Sequence, residues 1–192
     1  MEKVVLLDET GQAIGVEDKT TVHHRQTPLH LAFSCYVFND RGEFLLTQRA
    51  HHKPTFPSVW TNTCCGHPAP EEDMGAAIVR RRGEELGLTV HDLELALPGF
   101  RYRAVMPNGV VENEMCPVFF AFTEDTPRPN PDEVAETRWV DWAEFSTGVL
   151  SGRVEVSPWC ELQVRQLVEL GPDPTRWRGG APADLPPAAQ VA

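Results

Sequence analysis

Two carboxylates and a thiol alternate along Val110-Val111-Glu112-Asn113-Glu114-Met115-Cys116-Pro117-Val118-Phe119-Phe120. In a strand, that spacing puts Glu112, Glu114 and Cys116 on one face. Two ionised carboxylates so close repel each other. The stretch is therefore either the solvated face of an edge strand or a pair with a cation held between its members. His23, His30 and His67 supply the other half of a metal argument, because neutral imidazole is the commonest metal ligand among side chains. A mixed His/Glu set suits Zn, Mn or Fe better than Ca. Taken singly, each histidine is an ordinary surface or core residue, and spacing alone leaves the three unjoined.

The run Trp60-Thr61-Asn62-Thr63-Cys64-Cys65-Gly66-His67-Pro68 carries a second kind of chemistry. A thiol near a histidine or a cation has its ionisation shifted and becomes reactive. Alternation lets only one of Cys64 and Cys65 face a given side; the other reading is that both are buried strand residues. Further on, Glu85 lies one helical turn after Arg81, so the two share a face. On its own that is an exposed ion pair of little energetic worth.

Positioning these groups takes a scaffold of strands and a few helices. Val4 to Leu7 and Ile14 to Glu17 read as strands around the turn signal Glu9-Thr10-Gly11. Leu29 to Phe38 is one long β-prone run, and Asn39-Asp40-Arg41-Gly42 turns it into a return strand over Glu43 to Thr47. Asp73 to Leu86 is helical in composition and stopped by Gly87. Arg101 to Val105 and Val110 to Phe122 flank a second hairpin signal, Pro107-Asn108-Gly109. Arg138 to Val140 reads as a strand, Trp142 to Phe145 as a helical start, and Pro158 to Leu170 as a helix. After Gly171 the chain is rich in Pro, Gly and Ala and offers little to bury, which predicts a flexible tail.

The 192 residues suit a single domain with a real core, and 41% hydrophobic with 23% charged residues is a globular balance. A net charge of -11 opposes nucleic-acid binding, so a phosphate ligand needs a local basic pocket. No apolar stretch reaches membrane-spanning length. Five cysteines without a C-x-x-C pair suggest free thiols and a reducing cytoplasm rather than a disulfide framework or a cysteine-rich zinc site.

The spacing Gly66-x5-Glu72-x7-Arg80-Arg81-Arg82-Gly83-Glu84-Glu85-Leu86-Gly87-Leu88 resembles the Nudix box, G-x5-E-x7-R-E-U-x-E-E-x-G-U, with U a bulky aliphatic. It departs at Arg81, where the box has Glu, and at Arg82, where it has the aliphatic residue. The replaced Glu belongs to the magnesium-binding set of Nudix pyrophosphohydrolases, which argues against diphosphate hydrolysis. Several longer stretches are similar to the type 1 isopentenyl-diphosphate isomerases. They are Leu29-His30-Leu31-Ala32-Phe33-Ser34, the stretch from Pro57 to Pro68, Phe100-Arg101-Tyr102-Arg103-Ala104, Glu112 to Val118, and Ser157-Pro158-Trp159. They run in register from about Val4 to about Leu170.

That resemblance implies an α/β (α+β) Nudix-type fold, a single domain over residues 1–170 with a mixed β-sheet and flanking helices, followed by the 171–192 tail. It implies that His23, His30, His67, Glu112 and Glu114 ligate one divalent metal, Mn2+ or Zn2+, and that Glu85 serves Mg2+ bound with the substrate diphosphate. Lys19, Arg49, Lys53 and Arg81 match the family's diphosphate-binding cations, and guanidinium groups bind phosphate bidentately. Cys65 and Glu114 are the implied proton-transfer pair; to these we assign protonation on the Glu114 side, assisted by Tyr102, and deprotonation mainly by Cys65, although a reversible reaction asks each group to play both parts. Trp159 would present its π-face to a carbocation, or else serve as a core residue. The expected partner is a small diphosphate, with no nucleic acid or membrane, for a cytoplasmic monomer or weak homodimer. The rival readings are a Nudix hydrolase of a diphosphate and a catalytically silent module.

Overall fold

The computed structural model describes residues 2–190. In chain order the elements are β1 (Lys3–Leu7), β2 (Ala13–Asp18), α1 (Lys19–Val22), β3 (His30–Leu31), β4 (Phe33–Phe38), β5 (Glu43–Arg49), β6 (Trp60–Thr61), β7 (Cys64–Gly66) and α2 (Met74–Leu86). They continue with β8 (His91–Leu97), β9 (Arg101–Val105), β10 (Val111–Met115), β11 (Val118–Phe122), β12 (Val134–Asp141), α3 (Trp142–Leu150) and α4 (Pro158–Leu167). The strands form two mixed sheets. One has five strands in the order β2-β1-β3-β10-β9; the other has seven, with β12-β5-β4-β11-β8 as its path and β6 and β7 attached to β5 and β4.

Two long β-prone runs of the sequence each split in two, and both splits have one cause. Residues 29–38 break at Ala32, and residues 110–122 break at Cys116-Pro117. Pro117 has no N–H for a ladder. The two chains cross together from one sheet to the other: β3 runs parallel to β10, β4 runs parallel to β11, and Ala32 N–H and Ser34 N–H bond to the carbonyls of Met115 and Pro117 between them. This joint crossing holds the two sheets to each other.

The seven-stranded sheet is buried on both faces. Along β4, Tyr36 and Phe38 pack on one side among Phe44, Trp142, Phe145 and α4, while Cys35 and Val37 pack on the other against Ile78 and Leu86 of α2. The period-2 alternation of a strand divides its side chains between two apolar cores. Asp73 caps α2 by accepting Ala76 N–H at 2.9 Å, and Gly87 ends it with φ 61°, a left-handed conformation that costs glycine least.

The end of the chain corrects the expectation that it has little to bury. Trp177 is 4% exposed and packs edge-on against Phe38, Phe120 and Trp142. Gly180 N–H bonds to Leu95 O, and Ala188 N–H bonds to Gly11 O. One tryptophan gives a Pro/Gly-rich segment an apolar anchor of the size that dominates core energetics. Among the described residues, no helix is long and apolar enough to cross a membrane.

Candidate active site

A cavity of about 340 Å³ opens where the two sheets meet. Every candidate residue of the sequence analysis lines it except His30, which stands fully buried behind the wall. The five-stranded sheet builds one side. Its registers place His30, Glu114 and Tyr102 directly across from one another on β3, β10 and β9, so the three side chains share a face. Glu112, two residues before Glu114, shares it too. Both carboxylates are buried, which removes the reading as a solvated edge.

The three imidazoles converge on these carboxylates. His67 Nε2 lies 3.1 Å and His30 Nε2 3.5 Å from Glu114 Oε1, and His23 Nε2 lies 3.0 Å from Glu112 Oε2. One potential ligand atom from each of His23, His30, His67 and Glu114 falls within 4.8 Å of the others. His23 Nε2, His30 Nε2 and His67 Nδ1 are buried without a properly directed hydrogen bond. Buried polar nitrogens without partners are costly, and those of His23 and His30 beside the two carboxylates, with His67 Nε2 on Glu114, make a donor set for a divalent ion. The residues therefore fit a divalent metal, as the resemblance implied.

Their ionisation agrees. Burial lowers His67 to about 4 against the pull of Glu114, which leaves its imidazole neutral and able to ligate. Burial acts to raise Glu114, but the His30 and His67 imidazoles beside its carboxylate prevail and hold it well below the carboxylate range. His30 runs the other way, raised despite burial by the same Glu114 contact, so an ion must displace its proton to be ligated there.

The seven-stranded sheet supplies the thiol. Cys64 and Cys65 lie on β7, and alternation divides them as expected: Cys64 packs into the α2 core while Cys65 is the less buried of the two. Burial pushes the Cys65 thiol up to about 11. Asn62, fully buried, ties this thiol to the tryptophan. Its Oδ1 accepts from Cys65 Sγ at 3.2 Å and from Trp159 Nε1 at 3.0 Å, while its amide donates to Cys64 O at 2.9 Å. Behind the sulfur runs a directed chain. Tyr36 OH donates to Gln163 Oε1 at 3.0 Å, and Gln163 Nε2 donates to Ser34 Oγ at 2.9 Å. Ser34 thus keeps its own hydrogen for the sulfurs of Cys65 and Cys116, each 3.4 Å away. Trp159 lies tilted by 36° against Tyr102 with ring centroids 5.6 Å apart, and burial and the Glu114 charge hold the Tyr102 hydroxyl protonated.

The third region is cationic. Lys19 pairs with Glu2 at 2.6 Å, and Lys53 pairs with Glu133. Arg81 bonds Glu85 at 2.5 Å and Glu133 at 3.2 Å. Arg49 donates to Thr55 O and Phe56 O, with its guanidinium 5.7 Å from the Trp159 ring centre. The Arg81–Glu85 pair is buried rather than exposed, which corrects the weaker of its two sequence readings: Arg81 is 6% and Glu85 7% accessible. The loop before α2 is locked to it by Glu72, which accepts from Arg80 Nε and Nη2 at 2.8 Å each and from Ala69 N–H at 2.7 Å. Gly66 is required by close packing, since a Cβ there would stand 2.9 Å from both Arg81 and Phe33.

The NUDIX domain family matches residues 28–160, most of the chain. An isopentenyl-diphosphate Delta-isomerase from Saccharopolyspora erythraea is 69% identical over 192 residues, covering 100% of this chain and 99% of that protein. One from Mycolicibacterium vanbaalenii is 54% identical over 170 residues, covering 88% and 93% of the two. The chain belongs to the Nudix family, among its isopentenyl-diphosphate Delta-isomerases. In fold it is similar to the crystal structure of DR0079 from Deinococcus radiodurans, with a TM-score of 0.63 and 18% identity over 86% of this chain and 99% of that one. Within the Nudix frame, both departures in the box become legible. Arg81 sits at the cationic end of the cavity. Arg82 turns away from it and is buried beside Cys35 and Cys64, with Nε and Nη1 unpartnered.

Sequence reasoning assigned no role to Asn62, Ser34, Gln163 or Glu133. Asn62 lies inside a stretch that carried the resemblance, so the signal was at hand. Gln163 sits on the buried face of α4 among apolar neighbours, which marks a polar residue with a partner to find.

Proposed function

We propose that this cavity interconverts isopentenyl diphosphate and dimethylallyl diphosphate by adding a proton to one carbon of the alkene and removing one from another. What carries the reading is the meeting, in one cavity, of a proton-transfer group from each sheet with a set of cations at one end. Cys65 comes from β7, and Glu114 and Tyr102 come from β10 and β9. An alkene is a weak base and its protonated form a tertiary carbocation, so the reaction needs an acid, a base and the exclusion of water. Trp159 stabilises positive charge through its π-face while its indole N–H is held away by Asn62. Lys19, Arg49, Lys53 and Arg81 bind the diphosphate, and Arg81 in place of the box carboxylate favours isomerisation over hydrolysis.

The His/Glu set would hold Mn2+ or Zn2+, and Glu85 would serve Mg2+ carried with the diphosphate. A divalent ion on Glu114 supplies charge withdrawal that tunes the acidity of its carboxyl. The protein acts as a monomer or weak homodimer in the cytoplasm.

In the direction assigned from the sequence, the Glu114 side delivers the proton, assisted by the Tyr102 hydroxyl, and Cys65 removes one. The resting protonation favours a second assignment. Cys65 holds its proton up to about 11 while Glu114 is held as a carboxylate, so Cys65 can deliver and Glu114 receive with no prior transfer between them. Cys65→Ala in D2O separates the two. Deuterium entering the terminal methylene of unconverted isopentenyl diphosphate marks delivery from the Glu114–Tyr102 side; absence of exchange marks Cys65 as the donor.

The function itself is tested by product analysis of metal-supplemented protein with isopentenyl diphosphate. Dimethylallyl diphosphate without phosphate release is the expected result. Released phosphate would establish the hydrolase, and intact substrate with metal bound would establish a silent module.

A further inference from the structure

We infer that Glu133 makes the anion end of the cavity select a magnesium-complexed diphosphate over the free anion. The inference rests on the proposed diphosphate role of that end and adds a residue that determines which form is taken. Four cations line it, Lys19, Arg49, Lys53 and Arg81, together with three carboxylates, Glu2, Glu85 and Glu133, so the formal balance is 4 - 3 = +1. Among the described residues only Arg49 of the four lacks a carboxylate partner; its guanidinium is tied to backbone carbonyls. A multiply charged free anion entering here finds its cations already engaged. Taking them over leaves the buried Glu85 and the half-buried Glu133 uncompensated, a costly state. An anion that brings its own divalent cation avoids that cost, and Mg2+ is held characteristically by a carboxylate or two plus substrate phosphates.

Glu133 is the carboxylate that decides this. It bridges two of the cations through a single oxygen on a side chain only 23% exposed, with Oε2 bonded to Lys53 and lying 3.2 Å from Arg81 Nη2. Glu85 engages Arg81 alone, and Glu2, which reaches both Lys19 and, at 3.8 Å, Arg81, is 54% exposed at its side chain and so screened by solvent. The backbone of Glu133 is pinned on both sides: its N–H bonds to Asn130 O at 2.9 Å, and its carbonyl accepts Ala50 N–H at 3.0 Å from the segment that carries Lys53. The carboxylate therefore cannot retreat with its loop when an anion arrives. It stays to repel a free diphosphate and to favour one carrying a cation.

The test is calorimetric titration of inorganic diphosphate into protein whose His/Glu set has been loaded with a divalent ion, with and without added Mg2+. Wild type, Glu133→Gln and Glu84→Gln are compared. Glu84 lies 3.2 Å from Arg81 Nη1 but does not line the cavity, so it controls for a general change of charge. Wild type should bind about tenfold or more tightly with Mg2+. Glu133→Gln should gain about tenfold in affinity for the free anion and lose a similar factor of Mg2+ enhancement, with Glu84→Gln changing either by no more than about twofold. Mg2+ enhancement unchanged in Glu133→Gln, or reduced equally in Glu84→Gln, overturns the inference. Equal wild-type binding with and without Mg2+ overturns it while leaving the diphosphate reading standing. No binding under either condition removes the diphosphate reading and the inference with it.

Discussion

The two ends of the cavity solve opposite electrostatic problems. At the His/Glu wall, His23 Nε2 and His30 Nε2 lack directed partners and, together with His67 Nε2, crowd two carboxylates. At the cationic end, Lys19, Lys53 and Arg81 are all matched by carboxylates of the same chain. The first region is completed by adding a positive ion. The second is complete already and must be re-paired by whatever enters. A site with unsatisfied donors gains affinity from preorganisation, while a site of satisfied ion pairs gains selectivity, because only a ligand that leaves every charge compensated can replace the existing partners.

The largest effect expected is on the thiol, which belongs to neither end. Cys65→Ala should lower turnover by roughly 10²- to 10⁴-fold while leaving divalent-metal content unchanged, since the thiol comes from the other sheet. Loss of metal in this variant would merge the thiol with the His/Glu wall. Glu114→Gln should do what Cys65→Ala does not, weakening metal retention by about 10²-fold or more as well as turnover. Normal metal content and full rate there would remove Glu114 from both roles.

A pH titration sharpens the contrast further. An unfolded chain takes up a proton at His67 near 6.5, whereas the folded, ion-free protein does so only near 4. This neutral imidazole therefore costs no stability above pH 6.5, and stability is lost as the pH falls from there towards 4. The full shift corresponds to about 3 kcal/mol, part of it offset by His30, which shifts the other way. Denaturant melts of ion-free protein should show this decline, and added divalent ion should raise stability across the window and extend the decline to lower pH, because it delays proton uptake by the folded protein and leaves the unfolded chain's value unchanged. A flat profile over that window would mean that the wall does not hold His67 neutral.

The smallest effect expected lies outside the cavity. Arg82→Met restores an apolar residue where the Nudix pattern has an aliphatic one and removes two unpartnered buried nitrogens. It should raise unfolding stability by about 1–3 kcal/mol. A destabilised variant would show that Arg82 has a partner that the fold depends on.

Much of this architecture was legible in the residues. Asp73 and Gly87 bounded α2 because caps are local chemistry, and Asn-Gly turns marked their hairpins for the same reason. The alternation of Glu112 and Glu114 put both on one face, as their burial together shows. Long-range pairing was harder to read. Nothing local at Ala32 says that the strand must break there; it breaks because its neighbour breaks at Cys116-Pro117. Strand β8 carried alternating Leu93, Leu95 and Leu97 and was passed over, a pattern present but unused. Trp177 was hidden by its surroundings, since Pro and Gly set the expectation for the whole segment. Glu133 sits in a loop, where no periodicity indicates direction, and only the fold brings it between Lys53 and Arg81.

On the proposed mechanism, a proton from a group in equilibrium with solvent enters one carbon and a different proton leaves another. Incubation of metal-supplemented protein with isopentenyl diphosphate in D2O, followed by NMR of the product, decides this. Dimethylallyl diphosphate with deuterium in the methyl group derived from the terminal methylene is the predicted result. Product formed without any deuterium would mean that one hydrogen migrates within the substrate, and would contradict the two-group account of Cys65 and Glu114.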